Sequence, residues 1–164
     1  MEIYDKLFEQ AYFELGEAFS GLAEANVWKR PASGLLSVGE LAGHMAVGGV
    51  VWLAGGDGKT VPEGFDSPLL DPRFRYYPYT LASSPSEAQR ALNAERVLSE
   101  TLRLFRGAWA ALRERNPALG DRPEGQEMMP TWDHLIRYQT FHLPYHTRQI
   151  YTARHLLGET PPDN

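Results

Sequence analysis

The chain has 164 residues, which favours a single domain over 1–164 with a core large enough to fold without covalent staples. A formal charge of -5 argues against a general nucleic-acid binder, and the lack of cysteine removes disulfides, thiolate nucleophiles and zinc–sulfur sites. No charged-then-apolar leader opens the sequence, and its most apolar stretch, 41–54, is too short to cross a bilayer, so a soluble, cytoplasmic protein with no membrane partner is expected.

Residues 2–26 predict a first helix. Tyr4, Leu7/Phe8, Ala11, Leu15, Ala18 and Leu22 recur at the helical period, and Gly16 and Gly21 weaken it locally. A connection follows over 28–36, punctuated by Pro31 and Gly34. The second helix starts near Ser37, where Glu40 three residues on completes a candidate capping box. Its run LAGHMAVGGVVWLA is apolar on nearly every face, which predicts burial against more than one neighbour. Gly43, Gly48 and Gly49 cost helix stability and predict close approach of other elements. His44 lies on the flank formed by Leu41, Gly48 and Val51.

Residues 55–83 form an unusually long connection. Pro62, Pro68, Pro72 and Pro78 forbid a regular helix through it. It carries Phe65, Phe74, Tyr76, Tyr77 and Tyr79, which either cover a bundle end or wall a pocket. A third helix is predicted from Ser84, with Pro85 at its first position and Glu87 closing a capping box, to Asn116-Pro117. Ala91, Ala94, Leu98, Leu102, Phe105, Trp109 and Leu112 are its predicted inner face. After a loop, Thr131 is the predicted cap of a fourth helix over 131–157. Four amphipathic segments and no strand predict an all-α fold: a four-helix bundle with a long connection between helices two and three.

The fourth helix carries most of the chemistry. His142 and His146 are four residues apart, which puts both rings on one face, at or beside the core stripe. Buried polar rings need partners. Three imidazoles, with His44 from the second helix, would suit Zn²⁺, Ni²⁺ or Fe²⁺ with one position open to water or substrate. By spacing alone, satisfied core or surface histidines are the commoner account. His155 points to the opposite side and is read as a surface residue; His134, at the helix start, is either a weaker fourth ligand candidate or a surface residue. Gln149, three residues after His146, either hydrogen-bonds a ligand histidine or edges the bundle. Pro144 between the two rings predicts a kink or a π-bulge. Arg137, Arg148 and Arg154 are read as a solvated face. GDGKT at 56–60 is not a phosphate loop: Leu53 stands where the pattern requires glycine, and no strand precedes it.

Three pieces carry a resemblance: RP at 30–31, SVGELAGHMAVGGVVW at 37–52 and FHLPYHTRQI at 141–150. Over essentially the whole chain, the pattern resembles the DinB/YfiT-like superfamily of metal-dependent four-helix proteins. The resemblance implies that His44, His142 and His146 form a metal triad and that Gln149 is the glutamine following the last ligand. The usual HRGQ ending reads HTRQ here, with Arg148 in place of glycine. By resemblance, the metal would bind a low-molecular-weight thiol, as in bacillithiol S-transferases, and deliver it to a small-molecule electrophile. A homodimer is implied in the same way. Metal-dependent hydrolysis and non-catalytic binding of a small ligand are the alternatives.

Overall fold

The computed structural model describes residues 1–125 and 128–162. In chain order its helices are α1 (Glu2–Phe19), α2 (Val38–Gly49), α3 (Tyr77–Leu81), α4 (Glu87–Arg90), α5 (Ala94–Arg115) and α6 (Trp132–Leu156). The four long ones form the bundle. α1 packs on α6 and α5, and α2 packs on α5 and α6, so the helices close a ring in the order α1–α6–α2–α5. Leu15, Met45, Phe105 and Leu143, one from each helix, belong to a single hydrophobic cluster at its centre. Among the described residues, no helix is long and apolar enough to cross a membrane.

α1 buries the expected stripe, extended by Tyr12 and Phe19. It ends earlier than the predicted 26. Gly21 adopts φ +67°, which an L-residue disfavours, and the chain turns there. The carbonyls of Ala18 and Ser20 are taken by the Arg154 guanidinium at 2.7 and 2.9 Å. Arg154 is therefore 1 % exposed, not part of a solvated face. It also pairs with Glu159 at 2.7 Å. A charged hydrogen-bonding group at the helix C-terminus answers carbonyls that have no intrahelical donor.

α2 begins with the predicted capping box: the Ser37 hydroxyl accepts the Glu40 amide, and the Glu40 carboxylate accepts the Ser37 amide. Past Gly49 it continues as a turn of π-helix, Val50–Ala54. This is where the helical irregularity lies. α6 is α-helical throughout Trp132–Leu156 with Pro144 inside it, and the predicted π-bulge does not form there. Pro144 sits half-buried on a flank where it and Thr140, whose carbonyl loses its partner, both line an open groove.

The predicted third helix divides in two. Ser86 and Gln89, not Ser84 and Glu87, form the capping box that opens α4, and Asn93 caps α5. This second start turns the inner face of α5 onto Val97, Thr101, Leu104 and Phe105, leaving Leu98 and Leu102 half-buried. Both caps are strong local signals, and the helix-favouring residues between them, 87–92, hide the break.

Arg30 fixes the long connection against the bundle. Its guanidinium pairs with Glu40 at 2.6 Å, a carboxylate only 1 % exposed. The same side chain donates to the carbonyls of Thr80 (2.7 Å), Leu81 (3.0 Å) and Ser83 (2.7 Å). The end of α3 is thereby tied to the start of α2.

Candidate metal centre

α2 presents His44 and α6 presents His142 and His146, one helical turn apart. Their ring centroids lie 5.2 Å (His44–His142), 4.6 Å (His44–His146) and 4.4 Å (His142–His146) apart. One nitrogen from each ring falls within 4.8 Å of the other two. His142 and His146 are buried, and His44 is half-buried beside a cavity. Close approach is possible because α2 carries glycine where the rings and the connection meet it. A Cβ at Gly48 would stand 3.2 Å from His142 Cε1, and one at Gly43 would collide with the Phe74 ring.

The hydrogen bonds around the cluster decide where its protons sit. His44 Nδ1 lies 2.7 Å from the carbonyl of Phe74. A carbonyl only accepts, so Nδ1 carries the proton and Nε2 keeps its lone pair. His146 Nδ1 lies 2.7 Å from the Gln149 Oε1, which also accepts the Tyr77 hydroxyl at 2.5 Å. His146 Nδ1 is thus the protonated nitrogen, with the Tyr77 oxygen 2.9 Å away as a second acceptor. Its Nε2 lone pair faces His142 Nε2 across 3.0 Å. Two of three rings are locked in the tautomer that a metal on Nε2 requires.

Charge is excluded from the cluster. Burial, then the neighbouring His146 and His44, depress the pKa of His142 to about 2. Burial and His44 bring His146 down to about 4 against the raising effect of Gln149, and burial lowers His44 as well. All three rings are neutral at physiological pH, as metal ligation requires. Burial pushes the Tyr77 hydroxyl well above its ordinary range, so it remains a donor.

The fit to a divalent ion can be tested on these facts. Nitrogen ligands about 2.0–2.1 Å from zinc stand about 3.3 Å apart in a tetrahedron. The 3.0 Å between the His142 and His146 Nε2 atoms and the 4.8 Å that encloses one nitrogen of each ring bracket that separation. The rings fit an ion of the Zn²⁺, Ni²⁺ or Fe²⁺ class, with three protein nitrogens and an open side. The open side is a cavity of about 530 Å³ lined by His44, His142, Trp52, Tyr77, Tyr138 and Lys59, among others.

Of the residues singled out from the sequence, His44, His142, His146 and Gln149 are brought together, while His134 and His155 are exposed on α6 away from the cluster. Tyr77 and the Phe74 carbonyl are second partners that the sequence did not identify individually. The aromatic connection containing them was legible as a possible pocket wall, and it is one. Tyr138 also escaped notice; its ring stacks on His142 at 5.3 Å and 26°. The GDGKT segment is a self-contained turn. Asp57 accepts the amides of Lys59 (2.7 Å) and Thr60 (2.9 Å) and the Thr60 hydroxyl, leaving those amides unable to cradle a phosphate.

No family model matches this chain, and neither a curated protein nor a solved structure matches it.

Proposed function

We propose that this protein is a divalent-metal-dependent enzyme of the DinB/YfiT-like type that transfers a low-molecular-weight, bacillithiol-like thiol to a small electrophile. The carrying observation is the proton arrangement: neutral imidazoles from two helices, two of them held with Nε2 lone pairs directed at one point beside an open cavity. His44, His142 and His146 are the metal ligands, and Gln149 holds His146 for the bound ion. A metal at this point acts as a Lewis acid that lowers the pKa of a thiol or water at its open position.

The chain's own residues bind and orient the reactants. Lys59 and Arg75 at the cavity attract anionic groups of the thiol or its partner. Trp52, Tyr76 and Tyr138 offer flat walls for an apolar or conjugated electrophile. Thiol transfer is favoured over metal-dependent hydrolysis because Asp57, the one carboxylate lining the cavity among the described residues, is already engaged. Burial raises its pKa, but the Thr60 and Lys59 amides and the Thr60 hydroxyl outweigh that and hold it ionised. It therefore makes a poor base for activating water. The same reading places the protein in the cytoplasm as a homodimer, which light scattering would check.

The test begins with protein purified without a metal-affinity tag. Metal analysis should find about one divalent ion per chain, lost in His142→Ala. A panel of thiols and electrophiles should then show turnover that needs both thiol and metal. Thiol-independent cleavage of esters or amides would replace transfer by hydrolysis. Saturable ligand binding without turnover would make the protein a non-catalytic binder.

A further inference from the structure

The three histidines are not equally provided for. His44 and His146 each have an acceptor at Nδ1. Among the described residues, Nδ1 of His142 has no hydrogen-bond partner although it is buried. The residue facing it on α2 is Gly48, which has no side chain to offer. Three positions earlier on α6, Gln139 is 0 % exposed, and neither its Oε1 nor its Nε2 has a partner. Unpartnered buried polar atoms cost about 1–3 kcal/mol each. Leaving three of them within one turn of a helix calls for an explanation.

Helix geometry supplies one. Residues i and i-3 share a face, with Cβ atoms about 5–6 Å apart. Helical side chains lean toward the N-terminus, which carries the His142 ring back over the turn containing 138 and 139. Tyr138 stacks on that ring at 5.3 Å. Gln139 flanks the same turn on the core side. Its placement mirrors Gln149: one glutamine three residues before the first histidine of the pair, the other three residues after the second.

We propose that Gln139 is the positioning residue for His142, holding its Nδ1 through the side-chain amide, directly or across one trapped water. This inference rests on the metal reading above. An amide suits the task because it both donates and accepts. In the metal-free cluster His142 donates from Nε2 to the His146 lone pair across 3.0 Å, so its own Nδ1 needs a donor. With an ion on Nε2 the proton moves to Nδ1, which then needs an acceptor. Gln139 serves the first state with Nε2 and the second with Oε1, and the rotation between them stays inside the core.

The test compares wild type, Gln139→Met and Gln139→Glu, using Zn²⁺ alone in competition with a chromophoric chelator. Gln139→Met should bind zinc about 10–100-fold more weakly than wild type. Its metal-free form should also unfold earlier than wild type, since His142 Nδ1 is left without its donor. Gln139→Glu, which can only accept, should restore zinc affinity to within about threefold while weakening the metal-free fold. Substituted Co²⁺ should show a changed visible absorption spectrum in Gln139→Met and a wild-type one in Gln139→Glu. Ring N–H resonances of zinc-loaded wild type give a readout that needs no variant to fold: His142 Nδ1–H should be visible and slow to exchange. Wild-type zinc affinity in Gln139→Met, failure of Gln139→Glu to restore it, or rapid exchange at His142 Nδ1 would each overturn the proposal. Failure of wild type to bind zinc would remove the metal reading itself, and this proposal with it.

Discussion

Tyr77 is the residue on which the connection and the histidine cluster meet. Its hydroxyl binds Gln149 and stands beside His146 Nδ1, so removing one oxygen tests the proton arrangement without opening a cavity. Tyr77→Phe should weaken zinc binding by about 10-fold, the lower range for loss of an outer partner, with His146 still ligating. Chelator competition measures this, and unchanged affinity would show that Gln149 alone suffices. The histidine pair and Gln149 were legible in the sequence because spacing on a helix fixes which side chains share a face. The Phe74 carbonyl was not, since a backbone acceptor leaves no trace in residue identity. Arg154 was misread for a related reason: its burial depends on the carbonyl end of another helix, 134 or more residues away in sequence.

At the level of elements, α2 acts as a smooth surface that others approach. A Cβ at Gly43 would force Phe74 aside, and with it the carbonyl that holds His44. Gly43→Ala should therefore destabilise the fold by about 1–3 kcal/mol and weaken metal binding together. Denaturant unfolding and zinc titration should move in the same direction; a stabilised variant with unaltered zinc affinity would contradict this role. The Arg30–Glu40 pair makes a parallel case. Arg30→Ala leaves the Glu40 carboxylate buried without its cation but still holding the Ser37 amide and hydroxyl, at a cost of about 1–3 kcal/mol. It also frees the carbonyls that end α3, so zinc affinity should fall although no ligand is touched. Four long helices and the cap at Ser37 could be read from periodicity and local capping. The split at residues 91–93 could not, because two competing caps lie close together and tertiary packing selects between them. The conformation of the connection was equally hidden, since the Arg30 clamp joins groups 50 or more residues apart.

Across the whole molecule, the buried histidines tie stability to pH. Their folded pKa values lie below the ordinary 6.5, with His146 near 4 and His142 near 2. The unfolded chain therefore binds more protons than the folded one as pH falls through 6.5 toward 4. Stability is fully present above that window and is lost as pH drops through it, by up to about 1.4 kcal/mol per pH unit for each histidine. Unfolding of the metal-free protein at about pH 7.5, above that window, and at about pH 6 and 5, inside it, should show this slope, reduced in His146→Leu. A metal that binds only the folded state should shift the equilibrium the other way, by about 4 kcal/mol at a thousandfold excess over its dissociation constant.

The most direct test is a crystal of tag-free protein grown with zinc, with anomalous scattering recorded at the zinc edge. The account predicts one peak per chain, about 2.0–2.1 Å from a nitrogen of each of His44, His142 and His146, with its open side toward the cavity lined by Tyr77 and Tyr138. No peak at that point, or three rings packed against one another with zinc bound elsewhere, would contradict it.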